Sequence, residues 1–143
     1  MADLYLIVRL GGERLALRAA DVDSVVEIDA PTPVPGAAGH VVGLSALRSR
    51  VLTVIDCLRS VDPARSVAEG AREAVMAVVD GHPYALLVDA VEDVVEASAE
   101  PRAPSALSGG WSRVGRAVVE AQGDLLLLLD IDALIAGPTR EAA

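Results

Sequence analysis

Lysine, asparagine and phenylalanine do not occur in the 143 residues, so all 12 basic side chains are arginine. Without lysine, no side chain can form a Schiff base with a carbonyl, and no P-loop lysine can reach a nucleotide phosphate. A single cysteine, Cys57, excludes an internal disulfide framework and any multi-cysteine zinc site. Positive charge is in deficit: 12 basic residues face 21 acidic ones, a formal net charge of −9. Such a surface argues against a nucleic-acid backbone or an anionic membrane as partner. Apolar runs such as residues 125–129 are far short of the roughly 20 residues a membrane-spanning helix needs. Residues 1–4 show no basic region followed by an apolar stretch, so no secretory signal is evident. The expectation is a cytoplasmic protein with no direct membrane insertion.

What is present is a repeat. Residues 12–35 recur 69 positions later as residues 81–104. Identities fall at Gly12/Gly81, Ala16/Ala85, Leu17/Leu86, Val22/Val91, Val25/Val94, Val26/Val95, Glu27/Glu96, Ala30/Ala99 and Pro35/Pro104. Val42-Gly43 then matches Val114-Gly115, and the apolar run ending at Asp56 matches the run ending at Asp130. Two homologous halves share one small protein.

Short strand-like segments dominate each half. Residues 4–10 lead through Gly11-Gly12 into Leu15-Ala16-Leu17, and residues 75–79 lead through Asp80-Gly81 into residues 84–88. An Asp-Gly pair between apolar runs signals a tight hairpin, because both residues tolerate the positive φ of a primed turn. Residues 51–55 and 125–129 are nearly continuous apolar runs that read as strands buried on both faces, although period alone does not distinguish them from buried helix. An aspartate and a short helical stretch follow each. The proline segments 31–35 and 101–104 cannot occupy central strands and read as corner loops. Residues 62–72, polar and containing Pro63 and Gly70, read as the connector between halves. Gly/Pro-punctuated strands occurring twice imply an all-β fold of two small β-barrels with short helical turns. The expected division is one domain over 1–143, with subdomains at about 11–72 and 73–135. The N-terminal strand 4–10 and the helical segment 130–136 are free to cross over.

Catalytic chemistry finds little support. Asp56 and Asp130 each follow a buried run, as in a two-barrel aspartic hydrolase. That mechanism needs paired carboxylates on Asp-Thr/Ser-Gly turns, and here apolar residues follow instead. Helix capping explains both aspartates better. Cys57 lacks a sequence neighbour to activate it, and His40 and His82 have unmatched surroundings, so neither a nucleophile nor a metal site is expected. The halves differ most at one turn. Leu47-Arg48-Ser49-Arg50 precedes the first apolar run, whereas its counterpart is Ala121-Gln122-Gly123-Asp124. Arginine's planar fork suits partner carboxylates or carbonyls, which makes Arg48 a candidate contact.

These residues resemble the CheW family of bacterial chemotaxis coupling proteins. Residues 41–56, Val-Val-Gly-Leu-Ser-Ala-Leu-Arg-Ser-Arg-Val-Leu-Thr-Val-Ile-Asp, are similar to the family's Gly-Val-x-Asn-Leu-Arg-Gly segment and the apolar-Pro-apolar-Asp run after it. Residues 22–28 resemble its valine/glutamate segment, and residues 86–94 its Val-Asp-x-Val-x-x-Val segment. Three residues depart from the pattern: Ala46 for Asn, Ser49 for Gly and Thr53 for Pro. Ser49 suggests a differently shaped hairpin around Arg48.

The resemblance implies a pair of five-stranded, SH3-like barrels with no enzymatic activity and no cofactor. It implies a cytoplasmic adaptor joining the cytoplasmic tip of a chemoreceptor to the regulatory domain of a CheA-type histidine kinase. By position, Val25, Glu27, Gly43, Leu47 and Arg48 would belong to a receptor-facing groove between subdomains. Val88, Asp89, Val91 and Val94 would approach it from the second half, with Arg48 and Glu27 as the leading candidates. The alternatives are a binding module of an auxiliary or non-motility signalling pathway and the two-barrel hydrolase.

Overall fold

The computed structural model describes residues 3–47, 49–63, 72–97, 103, 107 and 109–138. Among the described residues, ten strands, three short α-helices and a 3-10 turn at Ala19–Asp21 follow one another. The first half holds β1 (Asp3–Leu10), β2 (Glu13–Arg18), β3 (Ser24–Ile28), β4 (Val41–Leu47), β5 (Arg50–Asp56) and α1 (Cys57–Val61). The second holds β6 (Arg72–Val79), β7 (His82–Leu87), β8 (Ala90–Ala97), α2 (Gly110–Val114), β9 (Gly115–Ala121), β10 (Asp124–Leu129) and α3 (Ile131–Ala136). The strands form two five-stranded sheets, each curled like a half-barrel, in the orders β8-β1-β2-β10-β9 and β3-β6-β7-β5-β4.

Replacing each strand by its repeat counterpart converts one order into the other. The two sheets nevertheless do not follow the expected boundaries at 11–72 and 73–135. Each half donates its first hairpin to the other half: β1 and β2 join β8, β9 and β10, while β6 and β7 join β3, β4 and β5. The exchange is built on parallel pairings, Leu127 with Leu15 between β10 and β2, and Val54 with Ala85 between β5 and β7. Parallel neighbours need a long crossover, which strands adjacent in sequence cannot supply but strands from opposite halves can. Residues 62–72 are correspondingly not all connector, because Arg72 opens β6. Residues 64–71 lie outside the described residues.

The exchanged hairpins are buried on both faces. Tyr5, Ile7 and Ala16 fill the interior of the first sheet, while Leu6, Val8, Leu10, Leu15 and Leu17 face a central core between the sheets. In the second sheet Ala74, Met76, Ala85 and Leu87 point inward, and Val75, Ala77 and Leu86 join the same central core. Successive strand side chains alternate faces, so a strand with core on both sides reads as continuously apolar. β5 and β10 were expected to share this double burial, yet Val51 is 61% and Leu125 62% exposed. Leu52 and Val54, like Leu126 and Leu128, fill a sheet interior; on the outward side Ile55 and Leu129 lie in the central core and Leu127 packs partly buried against it.

Four hairpins have two-residue turns, fixed by the pairs Leu10–Glu13, Leu47–Arg50, Val79–His82 and Ala121–Asp124. Three place glycine second in the turn, where φ is +85° at Gly12, +81° at Gly81 and +81° at Gly123. The fourth places Ser49 there at φ +69°. The β4–β5 hairpin therefore keeps the common register, and serine bears the left-handed conformation that glycine adopts freely.

Candidate functional site

β3 supplies the first residues by parity. Val26 packs on the interior of the second sheet and Ile28 lies within it, so Val25 and Glu27 point outward and are exposed. Their partners on β6, Val75 and Glu73, face the central side of the sheet. Glu27 thus stands beside Glu73, and like charges directly opposite each other destabilise a strand pair. The Glu73 carboxylate accepts the Val91 N–H at 2.9 Å, and its carbonyl accepts the Val88 N–H at 3.2 Å. Glu73, the β6 partner of Glu27, therefore links this strand pair to the start of β8 across the seam between the sheets.

Asp89 lies at that seam and is exposed. Its carboxylate receives the Gly11 N–H at 2.9 Å and the Arg72 guanidinium at 3.2 Å. Arg72 also reaches Asp56 at 3.5 Å; the arginine side chain is 12% exposed and the Asp56 side chain 3%. Reading residues 62–72 as connector hid this arginine, whose role depends on aspartates far away in sequence. Val91 is half-buried against the central core, and Val94 is 50% exposed farther along β8. Val88, by contrast, is 2% exposed within the core. It supports the site from below and offers no surface to a partner, because the core packs against both faces of the segment it ends.

Gly43 and Leu47 reach the region from β4, the opposite edge of the same sheet. The Thr32 and Leu44 backbones exchange hydrogen bonds of 2.8 and 2.9 Å, drawing the proline loop after β3 onto β4. A Cβ at Gly43 would sit 2.2 Å from the Thr32 carbonyl oxygen, so this approach excludes any larger residue. Leu47 is half-buried against the cluster that contains Ile28. Arg48 lies outside the described residues.

Exposed apolar residues that the sequence reading did not single out include Leu44 and Val51 on the outer face of β4 and β5, and Leu125 on β10. Strand parity was the available signal: once Leu52 and Val54 point inward, Val51 must point out.

The groups that could do chemistry are occupied structurally. Asp56 accepts the Leu58 and Arg59 N–H groups at 3.1 and 3.2 Å, capping α1, and Asp130 accepts the Ala133 N–H at 3.3 Å, capping α3. Burial pushes the Cys57 thiol up, and the neighbouring Asp56 carboxylate adds to the effect, so the thiolate is strongly disfavoured. His40 is buried, and its Nε2 lies 2.7 Å from the Ile135 carbonyl oxygen, to which it can only donate. Among the described residues no cluster of histidine, cysteine, aspartate or glutamate is arranged to hold a metal ion. No helix among them is long and apolar enough to cross a membrane.

Comparisons with known proteins agree over nearly the whole chain. The sequence model of the CheW-like domain matches residues 4–138. A chemotaxis protein CheW of Rhizobium meliloti (strain 1021) is 28% identical over 144 residues, covering 93% of both chains. The crystal structure of the scaffolding protein TtCheW from Thermoanaerobacter tengcongensis superposes with a TM-score of 0.79 at 18% identity, covering 91% of this chain and 90% of that one.

Proposed function

Since the chain belongs to the CheW-like domain family, we propose that it is a non-enzymatic cytoplasmic adaptor coupling chemoreceptors to a CheA-type histidine kinase. The observation that supports this most is the seam between the sheets, where Glu73 pairs with Glu27 on one side and accepts the Val91 N–H, two residues beyond Asp89, on the other. The seam offers the exposed apolar Val25 beside the exposed carboxylate of Glu27. An amphipathic receptor helix can lay apolar anchors along it and bring a basic side chain to Glu27. Arg48, at the turn of the β4–β5 hairpin, would contribute the opposite charge and take a carboxylate or carbonyl of the same partner. Val94 extends the apolar surface along β8. Gly43 and Leu47 act by holding the β4 edge and proline loop in place, and Val88 by packing beneath.

Binding of a chemoreceptor cytoplasmic hairpin to immobilised protein tests this reading. Arg48→Glu is expected to weaken capture at least tenfold while leaving the melting temperature nearly unchanged, consistent with loss of a charge-assisted contact worth about 1.5–3 kcal/mol. Glu27→Lys is expected to act in the same direction. Unchanged capture by both variants would overturn the assignment. Co-purification with a candidate kinase from the native cytoplasm distinguishes a motility pathway from another signalling role.

A further inference from the structure

The repeat creates two equivalent seams between the sheets, and they differ in what fills them. In the first, Arg72 is held between Asp56 and Asp89. Leu58 lies over the β1–β2 turn, so close that a Cβ on Gly11 would come within 2.9 Å of its Cδ1. The counterparts follow from the pairings. Arg72 pairs with Ile28 as Asp3 pairs with Ala97, so Asp3 stands in Arg72's place. Asp130 caps α3 as Asp56 caps α1. Ala20 corresponds to Asp89, Asp80 to Gly11 and Asp132 to Leu58.

The second seam therefore keeps the cap carboxylate but lacks the arginine it would hold, and it lacks the leucine that would close over the turn. It is open, with a cleft of about 510 Å³ lined by Asp21, Asp23, Asp80, Asp130 and Asp132, with Arg116 as the cation on its wall. Ala20 also lines it, so both positions equivalent to Arg72's partners border the cleft. Among the described residues none of the five aspartates makes an ion pair, and repulsion between them opposes closure.

We infer that this cleft is a second docking site, which receives an arginine side chain from a partner protein at the position the chain's own Arg72 fills in the other seam. The partner is identified by chemistry: a planar guanidinium, able to donate to Asp130 and a neighbouring carboxylate together, on a basic segment complementary to the acidic rim. The site is separate from the Glu27 groove, and its test does not involve receptor binding.

Titrating the isotope-labelled full chain with N-acetylarginine amide, followed by amide chemical shifts, reads the site directly. Shifts are expected at Asp21, Asp80, Asp130 and Asp132, with weaker ones for N-acetyllysine amide, whose ammonium lacks the planar fork. The exposed double variant Asp80→Asn/Asp132→Asn is expected to lose most of the response. Asp3→Arg supplies an internal occupant; it is expected to raise the melting temperature and block the arginine probe. Shifts spread evenly over the acidic surface, retained by the double variant or equal for lysine, would mean bulk charge attraction alone and overturn the inference. So would unchanged probe binding in Asp3→Arg.

Discussion

The two seams share a backbone plan and differ in chemistry. One is closed by Arg72, Asp56, Asp89 and Leu58; the other is open and lined by unpaired aspartates. The same contrast runs through the rest of the molecule. Equivalent residues keep equivalent burial where the duplicated scaffold needs them: Val25 and Val94 are both exposed, as are Val51 and Leu125. Equivalent residues diverge where the surface is free to specialise, as Ser49 does from Gly123. Duplication preserved the packing, and substitution at matched positions made the two surfaces unlike.

The largest effect sharpens the similarity. Leu17 and Leu86 are matched, fully buried residues of the central core. Leu17→Ala and Leu86→Ala are each expected to lower unfolding free energy by about 2–5 kcal/mol, with closely similar values, in urea denaturation. A large difference would mean that the halves do not share the core equally.

The next sharpens the contrast. Arg72→Ala leaves the buried Asp56 without its cation. The expected loss is about 2 kcal/mol, below the roughly 3–5 kcal/mol of a fully enclosed pair, because Arg72 retains some solvent contact. Asp3→Ala, the matched substitution, is expected to stay within about 0.5 kcal/mol. Equal losses would break the distinction between a filled and an open seam.

Smaller again is the turn exchange. Ser49→Gly relieves a left-handed serine and is expected to stabilise by about 1 kcal/mol, while Gly123→Ser is expected to cost a similar amount. Thermal melts of the two variants should move in opposite directions.

The smallest effect appears only above the carboxylate range. Hydrogen bonds from Arg14 and Arg9 hold the Glu92 carboxyl below the usual carboxylate range. A depressed carboxyl stabilises the fold above its unfolded value of about 4.3, and that contribution is lost as pH falls through the lower folded value. Glu92→Gln should therefore match the parent protein at the acid end and fall slightly below it near neutrality, measured by denaturation across pH.

Glu27, Val25 and Asp89 were named from the family resemblance, by their positions in matching segments. The aspartates after the apolar runs read as helix caps because capping joins residues two or three apart. Val88, expected near the groove, is buried in the core. A valine beside an exposed aspartate looks the same whether one or both faces of its strand are covered. Arg72 was missed for a related reason: only folding brings Asp56 and Asp89 to it.

The sequence by itself determined the duplication, the short strands, their turns and caps. All of these are encoded by neighbours within a few residues. Only the tertiary structure decided that each half gives its first hairpin to the other, that β5 and β10 are exposed at their starts, and that one seam is filled and its twin open. Strand alternation states which residues share a face. It carries no information on which strand pairs with it, or on what lies above that face, because those are long-range packing choices.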